Sequence, residues 1–393
     1  MTYWIGVLIF VVALLISVML HEAGHFATAK AFGMKVTQFF VGFGTTLWST
    51  RRGETEYGVK ALPLGGYVRI TGMTTLDEVE ETDEPRSFRN KPGWQRAIVL
   101  GAGSFTHFLL AFVLLWLVAV AIGQPSQSGT TISTLGCVPA TSTAVCAAGD
   151  PRSPAVIAGL RDGDRIVAIA GHPVSDWNQL GQQIQAQPVG KPVTFTIDRN
   201  GTALTKRITL ASVSWRKGSY LGVTPVVTYI TASPIAGVGQ AGSQFGAIVT
   251  ESATAFGNIP KAIPYLFAKN RVNTPGGQVS SVVGAAGIAG QVVSAGIGWQ
   301  QKVGDILLEV AALNIFVGLF NLLPLLPLDG GHLAVVIYER ARAAIYRLRR
   351  RPDPGLVDFR RLIPVSVSVF ALLVAFSLLL IVADLINPVN LTG

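Results

Sequence analysis

The feature that most constrains this chain is an apolar run, Trp4 to Leu20, that passes directly into His21-Glu22-Ala23-Gly24-His25. An uncharged stretch of this length predicts a membrane-spanning helix over residues 1–31. It carries no charged leading region and no small-residue cleavage pattern, so it reads as retained and not as a removable signal. On a helix, His21 and His25 stand one turn apart on one face, and both imidazoles can reach a single metal ion. Glu22 is then placed to take a proton from water held there. Two histidines and a glutamate at this spacing form a zinc-site motif, with the histidines as ligands and the glutamate as general base. The chain has five His in all, which makes a chance match rare. Ionisable groups at membrane depth are also costly, and they are usually functional.

Composition supports the membrane reading. The chain is 50% hydrophobic and 13% charged, with a mean hydropathy of +0.47. Three further apolar stretches predict spans over 97–122, 304–328 and 362–384. The net charge of +9 is unevenly spread, with no Lys or Arg before Lys30 and none after Arg361. Basic residues crowd Lys30–Arg96 and Arg340–Arg361, the second with eight Arg. The positive-inside rule therefore predicts a cytoplasmic loop at 339–361, with both termini and the 124–228 segment outside the cytoplasm. A nucleic-acid partner is not expected, because the basic residues follow span boundaries.

The segments between spans differ in character. Residues 32–96 read as a cytoplasmic, membrane-associated region. Within it Phe39–Gly44 reads as an apolar, glycine-punctuated turn, and Glu56–Met73 as a β-loop dipping toward the metal site. Asp77–Glu84 reads as a solvated charge run. Residues 124–228 form a polar, separate α+β domain with β-type runs at Val193–Ile197 and Arg207–Leu210. Cys137 and Cys146 fall in it, where either a disulfide or two inert thiols is possible. Residues 229–303 read as an extracytoplasmic linker with amphipathic helices, Glu251–Lys269 among them.

The second chemical cluster ends the third span: Asn321-Leu322-Leu323-Pro324-Leu325-Leu326-Pro327-Leu328-Asp329-Gly330-Gly331-His332. Pro324 and Pro327 break the helix and display Asp329 at the broken end, as the expected third ligand. Asn314 and Asn321 share a helical face. His332 is expected just outside the membrane, and Asp384 is expected to be solvated. His107, inside the second span, is either a fourth contact or a hydrogen-bonded core residue.

These motifs together resemble the bacterial site-2 proteases with one PDZ domain. The likeness rests on His21–His25, on Phe39–Gly44 (F-x-V-G-F-G), on Lys60–Met73 (K-A-L-P-L-G-G-Y-V-R-I-T-G-M) and on Ser87–Ala97. It extends to Asn321–His332 and to Ser153–Gly171, which is similar to the A-G-L-x-x-G-D-x-I-x-x-I-x-G pattern of bacterial PDZ domains. The resemblance implies a multi-pass α-helical membrane protein of four transmembrane helices, with a membrane-dipping β-loop and an inserted extracytoplasmic PDZ-like domain. It implies one zinc ion on His21, His25 and Asp329, with Glu22 and Asn321 as catalytic residues. It further implies substrates with transmembrane segments, such as anti-sigma factors, cut after an upstream site-1-type protease in the cell membrane. The chain departs from the family at Gly103–His107, where many members read G-P-x-x-N. Two competing readings remain at the level of sequence. One is a non-proteolytic PDZ-bearing binding or chaperone protein with a structural metal. The other is a metal transporter, disfavoured by the lack of internal repeats.

Overall fold

The computed structural model describes residues 1–126, 129–138, 146, 149–268 and 280–389; residues 269–279 of the expected linker lie outside them. Four helices are long and apolar enough to cross a membrane: α1 (Thr2–Ala31), α2 (Gly93–Leu117, continued by a π-helical turn at Val118–Ile122), α7 (Trp299–Asn321) and α9 (Ile363–Ile386). Four spans were expected; the third helix, Trp299–Asn321, starts five residues before the expected 304–328 and ends seven residues short of it. The chain forms two compact units, Met1–Ile122 with Ala232–Leu391, and Gly123–Thr231.

In the first unit, α1 leads into a long hairpin, β1 (Val36–Arg52) and β2 (Thr55–Ile70). Phe39–Gly44 was expected as a turn, but it is strand. Each long strand is bent, so the hairpin pairs as four legs. Residues 48–50 pair with 57–59, 57–59 pair with 39–41, and 39–41 pair with 66–68. The bend in β1 is made by Gly42 and Gly44, both at φ +85°, a backbone region that disfavours other residues. The consequence is that 66–70 becomes an outer leg of the sheet, beside α1. A Cβ on Gly66 would lie 2.7 Å from Met19 Sδ and 3.5 Å from Glu22 Cγ. Below it, Ala29, Met34, Val36, Ile70, Phe88, Val99, Leu100 and Val336 form one buried cluster joining α1, the hairpin and α2.

The second unit is an α+β domain. Its sheet runs His172–Pro173, Arg165–Ile169, Pro192–Arg199, Thr202–Thr209 in spatial order. Two helices cover it. Ser153 caps α3 (Pro154–Ile157) and Asp176 caps α4 (Trp177–Ala186), as Ser and Asp N-caps do. In the Asp162-Gly163-Asp164 turn, buried Asp164 takes two hydrogen bonds from Arg199, at 2.7 and 2.8 Å. The two ends of the unit pair with each other, Gln124 opposite Ile230. Cys137 and Cys146 are joined in a disulfide.

The chain returns to the first unit through α5 (Pro234–Ala262), capped by Ser233. This helix is longer than the expected Glu251–Lys269 and begins earlier, at a Ser-Pro start signal. It packs along α2 and α7, where Ala241, Ala111, Leu115, Ala311 and Ile315 are buried together. α6 (Val282–Ser294) lies on α1, so close that a Cβ on Gly6 would meet Ala289 O at 2.4 Å. Asp384 is not solvated. It is buried on α9 and accepts hydrogen bonds from the Ser281 N–H and hydroxyl, both at 2.6 Å, at the start of α6. After α7, α8 (Asp329–Leu348) begins at Asp329, so part of the expected 339–361 loop is helical.

Candidate metal centre

α1 turns Ser17, His21, Gly24 and His25 toward its neighbours, as the i, i+4, i+7, i+8 spacing requires. α8 brings Asp329 to them from the other end of the chain. Asp329 Oδ2 lies 3.2 Å from both His21 Nε2 and His25 Nε2, and those two nitrogens are themselves 3.2 Å apart. Among the described residues, these three are the group that could hold a metal ion. His332 and His107 are not part of it.

The orientation of His25 is fixed from behind. Its Nδ1 donates to the carbonyl of Val99 on α2 at 2.7 Å. A carbonyl only accepts, so Nδ1 carries the hydrogen and Nε2 of the neutral ring offers a bare lone pair. Two imidazole nitrogens and a carboxylate oxygen thus converge at contact distance. Oδ2 is buried and accepts no hydrogen bond from any described residue. Electron-rich atoms crowd together in this way when a cation belongs between them. The donor set, two neutral imidazoles and one carboxylate, suits zinc and leaves a fourth position for water or substrate.

Glu22 is half-buried, with the side chains of His25, His21 and Asp329 as neighbours and the Val68 backbone against it. Asn321 is the last residue of α7, eight residues before Asp329. The Asn314 amide donates to Ser17 Oγ at 3.0 Å and to Val310 O at 2.8 Å, and its Oδ1 accepts from His107 Nδ1 at 2.7 Å. His107 therefore belongs to a buried polar network joining α1, α2 and α7. Its ring also packs on His21, with centroids 4.9 Å apart.

Sequence reasoning missed the α2 wall of this site. Val99 acts through its carbonyl, which leaves no residue-type signal. Gly103 stands where a Cβ would lie 2.4 Å from His21 Cε1 and 2.5 Å from His25 Nε2. The small residues Gly101, Gly103 and Ser104 suit close helix packing, but their types do not say what is packed.

Comparison with known proteins gives the family. The family model described as Peptidase family M50 matches residues 9–351. Zinc metalloprotease Rip1 of Mycolicibacterium smegmatis is 35% identical over 415 aligned residues covering 100% of both chains. Rip1 of Mycobacterium tuberculosis is 34% identical over 409, again with full coverage of both. Metalloprotease MmpA of Caulobacter vibrioides is 29% identical over 366, covering 85% of this chain and 87% of its own. With a family model matched across most of its length, a zinc-type donor set and four apolar helices, this chain belongs to peptidase family M50, as a membrane zinc metalloprotease of the site-2 type.

Proposed function

We propose that the chain cuts peptide bonds within the transmembrane segments of membrane-anchored regulators, such as anti-sigma factors, after a first cut by another protease. The observation that carries this reading is the convergence at 3.2 Å of His21 and His25, on a helix apolar enough to span a membrane, with Asp329 at the start of α8. In it, His21, His25 and Asp329 hold one zinc ion. When bound, that ion polarises a carbonyl and acidifies water to a pKa of about 7. Glu22 accepts the proton of the attacking water and returns it to the leaving amine. Asn321 donates to the oxygen on which charge develops, a contribution of about 3 kcal/mol in comparable sites.

A transmembrane helix hides its carbonyls in its own hydrogen bonds, so the substrate has to unwind locally. The outer leg 66–70, beside Glu22, has backbone groups suited to pairing with an extended segment. We place 339–361 in the cytoplasm, and both termini and the 124–228 domain outside, from the arginine asymmetry. The α+β domain is read as PDZ-like and as a gate that excludes substrates with a large outer domain.

Glu22→Gln tests the reading. The variant should fold and keep zinc, and should lose at least ~100-fold in cleavage of a reconstituted helix substrate. Undiminished cleavage would remove Glu22 as the base. Absence of cleavage in the wild type, with zinc bound, would favour the binding-protein alternative.

A further inference from the structure

α2 touches the metal centre with one face, and the same face continues past it. Gly103 lies against the two imidazoles, Val99 accepts from His25, and three residues earlier Arg96 reaches α8. There its Nη1 donates to Glu339 Oε2 at 2.9 Å. Both side chains are buried, 8% and 6% exposed. Each partner has a further contact. Glu339 Oε1 accepts the Val357 N–H at 2.8 Å, and the guanidinium lies 5.2 Å from the centre of the Phe88 ring. Beside it, α2 and α8 touch so closely that a Cβ on Gly93 would meet Arg340 Nε at 2.1 Å.

We propose that the Arg96–Glu339 ion pair is a positioning device for Asp329. It fixes how far α8 extends along α2, and so where the third ligand stands relative to the two histidines. α8 begins with Asp329 and is a rigid rod, so Glu339, ten residues on, sits about 15 Å down the same axis. A slip of α8 at Glu339 becomes an equal slip at Asp329. At the near end, Leu328 supplies no side-chain cap to α8. α2 thus works as a ruler: Val99 sets one histidine and Arg96 sets the helix that carries the carboxylate.

The pair is not explained by stability alone. A buried ion pair is usually replaceable by apolar residues of similar volume without loss of fold. What an apolar pair lacks is direction, since two methylene chains pack in several registers. Metal coordination does need register, because ligand distances hold to about 0.2 Å.

The inference rests on the proposed ligand set, so that set is checked separately. Asp329→Asn in the full-length protein in detergent should abolish tight zinc binding. If it does not, the ligand assignment fails, whatever Arg96 does. The positioning claim is tested with Glu339→Gln and with the double variant Arg96→Met/Glu339→Leu. Zinc affinity is measured by chelator competition, and thermal unfolding is measured on the zinc-free forms. The expected result is a double variant that unfolds at the wild-type temperature but binds zinc ~10- to 100-fold more weakly, the range typical of groups supporting metal ligands. Should Glu339→Gln fail to fold, the double variant alone decides. Wild-type zinc affinity in the folded double variant overturns the proposal. So does a loss of affinity matched by a lower unfolding temperature, since the pair would then be holding the fold and not the ligand.

Discussion

The metal centre is built at the scale of single atoms, and its tightest constraint is a missing one. Gly103 has no side chain, and the space a methyl group would occupy is filled by the His21 and His25 rings. Gly103→Ala is therefore expected to push the two imidazoles out of line and lower zinc affinity by at least ~10-fold, read by metal content after graded chelation. At the neighbouring Gly101 a methyl group would meet nothing within 4 Å, so Gly101→Ala is the control and should bind zinc normally. A second residue-scale prediction concerns Glu54, at the hairpin tip. Arg86 bonds both of its oxygens and Lys30 one of them, holding its carboxyl at about 2 against an ordinary 4.5. The folded value is depressed, so this contribution to stability is complete above pH 4.5 and is lost as pH falls toward about 2. Glu54→Gln should unfold at a lower temperature than wild type above pH 4.5, and the gap should close as pH falls toward about 2. A gap that stays constant across that window would show that Glu54 contributes no charge pairing. His21, His25 and Asp329 could be singled out in the sequence as candidate ligands, and the fold brings them together, because metal ligation calls for particular side chains at particular spacings. Val99, Gly103 and Ser17 were not, because a carbonyl, an empty space and a hydroxyl acceptor carry no such signature.

At the scale of elements, the four apolar helices were readable because a bilayer imposes a length and a polarity that few other environments require. The hairpin was half-readable. Glu56–Met73 is rich in strand formers, but Phe39–Gly44 read as a turn because its two glycines suggested one. They do turn the chain, inside a strand, and so fold one hairpin into four legs. The start of α5 was passed over for a different reason. Its Gly- and Ala-rich sequence has little apolar contrast, and its packing against α2 and α7 supplies the order that periodicity did not announce. The bend in β1 gives an element-scale prediction. Gly42 sits at φ +85°, and a Cβ there would lie 2.7 Å from Leu62 O. Gly42→Ala should loosen the hairpin while leaving α1 and α8, and hence zinc, in place. The expected outcome is faster tryptic cutting at Arg51 and Arg52 and at least ~10-fold slower cleavage of a helix substrate, at unchanged zinc content. Full cleavage activity with a protease-sensitive hairpin would dismiss the outer leg 66–70 as a substrate rail.

At the scale of the whole molecule, the chain interrupts one compact unit with another, and both seams are closed. On one side, Gln124–Ser126 pairs with Thr228–Ile230. On the other, the Ala232 N–H donates to Ala119 O at 2.9 Å. The inserted unit also has its own buried core, centred on Ile166, Ile169, Phe195 and Ile197. An insertion whose ends meet can be removed without stretching what remains. Replacing residues 123–231 by a short Gly-Ser linker should thus leave a protein that folds and binds zinc with wild-type affinity. If the inserted domain is a gate, the shortened protein should cut a substrate that still carries its large outer domain. It should also cut an already trimmed substrate at close to the wild-type rate. The comparison of the two substrates is what makes the test specific, because a damaged catalytic unit would slow both. A rise confined to the untrimmed substrate supports the gate. Equal rates before and after deletion on both substrates would mean the domain excludes nothing, and loss of cleavage on the trimmed one would make it a recruiter.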